Sequence, residues 1–265
     1  MKSNMKFRGL MPVIFMTFCA MFAAATLLLF VEAPGAQEAQ KKITIYIAGD
    51  STACNYAVQQ APRTGWGQVF QEYFKPEATV KNFAASGRSS RSFIAEKYLE
   101  RIFAEIKPGD YLFIQFAHND EKQTDPDRYA APFTLFKETL TIYIDDARKT
   151  GANPVLLTPV NRRTFDSQGK VINSHGDYPR AIRELGEALK VPVLDMTEQT
   201  RILLEKAGPD GAKKIFLWTR ESEYPYYPKG IADDTHFQLS GAREVCALMI
   251  EEIKTRVPAL IPYLK

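Results

Sequence analysis

Short apolar and β-branched runs alternate along this chain with longer stretches whose apolar positions recur at helical spacing. Residues 43–48 form such a run, closed by Gly49, which predicts a buried strand. A helix is predicted over 66–74 and a second strand over 79–84. A further helix over 91–106 stops before Lys107-Pro108-Gly109. A third strand follows at 111–116, a helix at 132–149 with Gly151 just past its end, and a fourth strand at 154–158. Helices at 178–190 and 197–207 flank a fifth strand at 191–195. The last helix covers 240–256, with Ser240 as its N-cap. Residues 161–177 and 208–235 show neither period and read as irregular. The second of these is rich in Tyr and Pro and is expected to rim a pocket.

Strands alternating with helices predict an α/β fold with a parallel sheet covered on both faces. Parallel crossovers are right-handed, so the C-terminal ends of all the strands open on one edge. Ligands of such sheets bind at that edge, near a topological switch point. A site is therefore expected just after the strands.

The N-terminus breaks the alternation. Lys2, Lys6 and Arg8 precede a charge-free run over residues 10–31, and Ala33-Pro34-Gly35-Ala36 follows. That layout is expected of a signal peptide over residues 1–36, with an uncleaved anchor as the alternative. The expected destination is export: secreted, periplasmic or cell-surface, touching a membrane only if the leader stays attached. Residues 37–265 then make one domain. Its charge falls from the +3 of the whole chain to +1, with 31 Lys+Arg and 30 Asp+Glu. Such a balance gives no reason to expect a nucleic acid partner. The 45% apolar and 25% charged composition excludes a disordered or disulfide-dense chain.

Four segments carry candidate chemistry. Gly49-Asp50-Ser51-Thr52 follows the first strand, where a serine at a tight turn can be exposed and neighbouring N–H groups would favour negative charge. Ala85-Ser86-Gly87-Arg88 follows the second strand, and glycine permits close backbone approach to a ligand. Ala117-His118-Asn119-Asp120 follows the third and offers an amide donor. Asp233-Asp234-Thr235-His236 precedes the last helix, and a carboxylate three residues before an imidazole reaches its Nδ1. Each segment alone has a bland reading as a cap or turn. Together they supply a nucleophile, oxyanion donors and an oriented base, the set required for acyl transfer.

These segments resemble the four blocks of the SGNH (GDSL-type) hydrolases in order and spacing. More narrowly the chain resembles the rhamnogalacturonan acetylesterases, a branch of the carbohydrate esterases. The residues behind this are the Gly49-Asp50-Ser51-Thr52 block, Thr64-Gly65-Trp66-Gly67-Gln68, Gly87-Arg88-Ser89-Ser90-Arg91-Ser92, His118-Asn119-Asp120, Pro159-Val160-Asn161-Arg162-Arg163 and Asp233-Asp234-Thr235-His236. The resemblance implies a flavodoxin-like three-layer α/β/α fold with a five-stranded parallel sheet. It implies Ser51 as nucleophile, His236 as general base and Asp233 as its orienting carboxylate, with Asp234 still open beside it. It implies an oxyanion hole from the N–H groups of Ser51 and Gly87 and the Asn119 side chain. Asp50 and His118 are expected to brace their loops. No metal or other cofactor is implied.

The implied activity is a serine esterase that removes acetyl groups from plant cell-wall polysaccharide through an acetyl-enzyme, acetylated rhamnogalacturonan or pectin first. The alternatives are an esterase or lipase of the same fold on xylan or lipid esters, and an inactive carbohydrate-binding protein. Trp66 is expected to stack on a sugar face or to lie in the core. Arg88, Arg162 and Arg163 are expected to pair with uronate carboxylates or to be solvated surface. His175 and Tyr178 are candidates for the same rim. An α/β-hydrolase is disfavoured, since Ala53 stands where its nucleophile elbow needs glycine. Cys54 and Cys246 are either two buried thiols or one disulfide; the implied architecture puts the first and last helices on one face, where such a bridge would tie the Ser51 and His236 segments together.

Overall fold

The computed structural model describes residues 41–265. The leader expected over 1–36 lies outside the described residues. In chain order the elements are β1 (Ile43–Gly49), β2 (Arg63–Thr64), α1 (Trp66–Val69), β3 (Ala78–Asn82), α2 (Ser90–Ala95), α3 (Tyr98–Phe103) and β4 (Tyr111–Gln115). Then follow α4 (Lys137–Lys149), β5 (Asn153–Leu157), α5 (Tyr178–Leu189), β6 (Val193–Leu194), α6 (Met196–Gly211), β7 (Phe216–Thr219), β8 (Ile231–Gln238) and α7 (Leu239–Arg256). Short 3-10 turns continue α1 and end the chain.

Five strands form one parallel sheet in the order β3-β1-β4-β5-β6. This is the expected α/β architecture with the flavodoxin-like strand order. The period-2 alternation of β1 and β4 explains why both faces are covered. Ile43, Ile45, Ile47, Tyr111 and Phe113 point into one core with residues of α1, α6 and α7. Tyr46, Ala48, Leu112 and Ile114 point into a second core with residues of α2 to α5. Strand order reverses between β1 and β4, so the switch point lies between Gly49 and its register partner Gln115.

Three expectations are corrected. The single helix expected over 91–106 is two helices, because Lys97 adopts a left-handed conformation (φ 63°) between α2 and α3. The last helix begins at Leu239, and Ser240 does not cap it: its hydroxyl donates instead to the Lys214 carbonyl. The segment 208–235 is not simply irregular. It contributes β7 and most of β8, which with β2 make an antiparallel sheet in the order β2-β8-β7. The other segment, 161–177, is loop, as expected.

Candidate active site

The loop after β1 presents Ser51. Past Gly49 the chain makes one tight turn, with Ala53 N and Cys54 N both donating to the Asp50 carbonyl. The Asp50 carboxylate accepts from Thr52 N (2.9 Å) and Thr52 Oγ1 (2.8 Å) and closes the turn from within. The β2–α1 segment packs beneath: Trp66 N donates to Thr52 O and Gly67 N to Ala53 O. A side chain at Gly65 would meet the Cys54 carbonyl oxygen at 2.1 Å, so only glycine allows this approach. The Tyr56 hydroxyl donates to the Ser51 carbonyl at 2.6 Å.

β8 carries the opposing groups. His236 Nε2 lies 2.9 Å from Ser51 Oγ. Its Nδ1 lies 2.7 Å from Asp233 Oδ2. Asp233 Oδ1 accepts from the backbone N–H groups of Thr235 (2.8 Å) and His236 (3.0 Å). Partial burial opposes the Asp233 charge, but the His236 ring and these two N–H groups outweigh it and hold the carboxyl at about 2. Asp234 is turned away: its Oδ1 accepts from Arg163 Nε (2.6 Å) and Trp218 Nε1 (2.8 Å). The carboxylate that meets His236 is thus Asp233. The Tyr56 ring stands edge-on to His236, 6.4 Å between centroids.

The three expected oxyanion donors come from neighbouring strand ends. Ala85 N donates to the Gly49 carbonyl, which holds residues 85–88 beside the end of β1. Gly87 has φ +79°, a conformation that glycine enters without strain. Among the described residues, neither the Ser51 nor the Gly87 backbone N–H has a protein acceptor. The Asn119 amide donates one hydrogen to the Arg88 carbonyl (3.0 Å), and its oxygen accepts from Lys122 Nζ (2.8 Å). Lys122 therefore fixes which end of the amide faces the site and leaves the second N–H available. Ala117, with φ 152°, makes the sharp departure from β4 that delivers this loop to the edge.

Behind the site runs a buried polar chain. Asp50 Oδ2 lies 3.3 Å from His118 Nδ1, and the His118 ring packs at 4.5 Å against that of His175. His175 Nδ1 meets Glu121 Oε2 at 3.0 Å, and Glu121 pairs with Arg162. Burial lowers His118 to about 4, helped by His175 and Arg162 and opposed by Asp50. Burial also works against the Asp50 charge, yet His118 and the Thr52 hydrogen bonds outweigh it and hold that carboxyl below its usual range. Asp120 accepts from Ser90 N (2.9 Å) and Ser90 Oγ, which ties the Asn119 loop to the start of α2. Burial raises its carboxyl to about 7.

Several residues proposed as sugar contacts lie elsewhere. Trp66 is completely buried and donates its indole N–H to Gln115, so it belongs to the core and touches no sugar. Arg162 is committed to Glu121 and Ser174, and Arg163 to Asp234 and the Pro209 carbonyl. Arg88 reaches the site edge but makes two hydrogen bonds to Glu96. His175 and Tyr178 are buried beneath the rim rather than on it. Cys54 and Cys246 are separate buried thiols; Cys246 Sγ donates to the Trp66 carbonyl. Tyr56 and Lys122 are site residues that the sequence did not mark, since neither falls in a recognisable chemical pattern. Among the described residues, no group of three or more His, Cys, Asp or Glu gathers as a metal site.

A serine, an imidazole and a half-buried carboxylate in line, with donors across the serine, can perform acyl transfer. Comparison with known proteins agrees. Residues 47–243 match the GDSL-like Lipase/Acylhydrolase family. The Rhamnogalacturonan acetylesterase RhgT of Bacillus subtilis (strain 168) is 43% identical over 215 residues, covering 81% of this chain and 91% of that protein. The Probable rhamnogalacturonan acetylesterase YesY of the same organism is 36% identical, covering 79% and 92%. The crystal structure of YxiM from Bacillus subtilis superimposes with a TM-score of 0.68 at 28% identity, over 83% of this chain and 58% of that one.

Proposed function

Because the chain belongs to the GDSL-like lipase/acylhydrolase family and is a carboxylic ester hydrolase, we propose that it removes acetyl groups from a plant cell-wall polysaccharide, with acetylated rhamnogalacturonan as the first substrate. The observation that carries the substrate is the 43% identity to a rhamnogalacturonan acetylesterase across nearly all of that protein. The mechanism rests on the Ser51–His236–Asp233 line.

In this reading His236 Nε2 takes the Ser51 proton as Oγ attacks the acetyl carbonyl. Asp233 keeps Nδ1 protonated and stabilises the imidazolium that forms. The tetrahedral oxyanion is met by the N–H groups of Ser51 and Gly87 and by the second N–H of Asn119. Each such donor is worth about 2.7–4 kcal/mol of barrier. His236 returns its proton to the departing sugar hydroxyl, leaving an acetyl-enzyme. The same base then activates water to release acetate. We place the enzyme outside the cytoplasm, on the basic and apolar pattern of residues 1–36.

Acetate release from acetylated rhamnogalacturonan, homogalacturonan and xylan, measured side by side, tests the substrate. Fastest release from rhamnogalacturonan is expected, and a clear preference for xylan overturns the reading. Ser51→Ala is expected to abolish release while folding normally; near wild-type turnover would remove the serine mechanism.

A further inference from the structure

The arginines expected to meet an acidic sugar are mostly spoken for: Arg88, Arg162 and Arg163 each face a carboxylate of the protein itself. Arg63 does not. It lies on β2, whose two residues pair with Gln238 and Phe237 of β8, directly after His236. Its guanidinium carbon sits 4.4 Å over the Tyr56 ring. That same Tyr56 donates to the Ser51 carbonyl and stands edge-on to His236. Arg63 Nε is buried and meets no acceptor in hydrogen-bond geometry; the buried Tyr227 hydroxyl faces Arg63 but does not complete a bond of that geometry with it. Among the described residues, no carboxylate lies within salt-bridge distance of Arg63. Both Arg63 and Tyr56 line a cleft of about 390 Å³ that is also lined by Ser86, next to Gly87, and by Arg88 and Tyr98.

A buried guanidinium nitrogen without a partner is costly unless a ligand satisfies it. Stacking on Tyr56 holds the planar fork in place, which is the arrangement that suits two-point recognition of a carboxylate. We propose that Arg63 forms a carboxylate subsite beside Ser51, which holds the uronate group of an acidic sugar while the acetyl ester enters the catalytic line. The inference deepens the acetylesterase reading above and rests on it for the substrate class. It assigns the acid recognition to a residue outside the four sequence blocks.

Binding tests this apart from turnover. Ser51→Ala protein is titrated calorimetrically with unacetylated digalacturonate and with its methyl ester, alone and with Arg63→Gln or Arg63→Lys added. The parent is expected to bind the acid about tenfold or more tightly than the ester. Arg63→Gln should bring that ratio close to one. Arg63→Lys, which keeps the charge but loses the fork, should retain only part of it. Equal affinity for acid and ester in the parent, or a ratio that neither variant changes, overturns the subsite. Should Arg63→Gln fail to fold, the Arg63→Lys ratio decides alone, and an unchanged value overturns it. Acetate release from pectic polymers with no Arg63-dependent discrimination sinks the subsite and leaves the acetylesterase reading standing. Acid binding through Arg63 with no acetate release from those polymers supports the subsite and sinks that reading.

Discussion

Asp233 Oδ2 lies 2.7 Å from His236 Nδ1, and the other oxygen of the same carboxylate is held by two backbone N–H groups. The carboxylate therefore cannot rotate away without losing three hydrogen bonds. Asp233→Asn should keep the shape and destroy the tautomer control, lowering kcat by about three to four orders of magnitude. A fall of less than tenfold in steady-state kinetics would return the orienting role to Asp234.

The same carboxyl, held at about 2, sets an expectation for pH. Its folded value is depressed, so its contribution to stability is present above the unfolded value of about 3.9 and is lost as pH falls toward 2. Asp233 should stay ionised throughout the working range. The acid limb of the kcat/KM profile should therefore keep its position in Asp234→Asn and should not be moved to the region of pH 2–3 by any change at Asp233.

Asn119→Ala should lower kcat by about a hundredfold to a thousandfold with little rise in KM, because the donor acts on charge that exists only in the transition state. Lys122 gives a subtler test. Its ammonium holds the Asn119 oxygen at 2.8 Å, so Lys122→Ala should free the amide to turn and lower kcat by about tenfold. An unchanged kcat in Lys122→Ala removes that orienting role.

Asp120 is a carboxyl that burial has raised to about 7, so the folded protein holds its proton more tightly than the unfolded chain. The sign is opposite to that of Asp233. Its contribution to stability is greatest at low pH and declines as pH rises from about 4 through 7. Asp120→Asn keeps an oxygen to accept from Ser90 and cannot ionise. The slope of Tm between pH 5 and 8 should flatten in that variant; an identical slope in both proteins refutes the assignment.

Gly65→Ala places a methyl against the Cys54 carbonyl at 2.1 Å. The backbone must move, at a cost of about 1–3 kcal/mol. Because Cys54 belongs to the Ser51 turn, activity should fall together with Tm, read by calorimetry and ester hydrolysis on one sample. Full activity at a lowered Tm would uncouple the two.

The parallel sheet was legible because β1 and β4 are driven by continuous apolar runs, and the site edge followed from the alternation of strands and helices with right-handed crossovers. The antiparallel sheet was not. β8 reads Ile-Ala-Asp-Asp-Thr-His-Phe-Gln, five of its eight residues polar, and its partner β2 is two residues long. Such a strand is stabilised by long-range pairing that no local period announces. The break at Lys97 has no glycine or proline to mark it. Ser51, Gly87, Asn119 and His236 were nameable because their blocks have fixed spacing. The partners of Arg162 and Arg163 are 41 and 71 residues away, which no local pattern reveals. Trp66 was ambiguous for the same reason: Gln115, which satisfies its N–H, lies 49 positions on.

Residues 63–67 touch both halves of the catalytic line. Arg63 and Thr64 pair with the strand that bears His236, and Trp66 and Gly67 donate to the turn that bears Ser51. One five-residue strip thus links nucleophile and base, beside the β7 pairing of β8 and the Asp50 contacts within the Ser51 turn. If that strip frays, the two ends of the proton path part together, so partial loosening leaves no half-competent enzyme. Amide exchange at Trp66 and Gly67 then becomes a clock for the working lifetime of the site, read without any substrate.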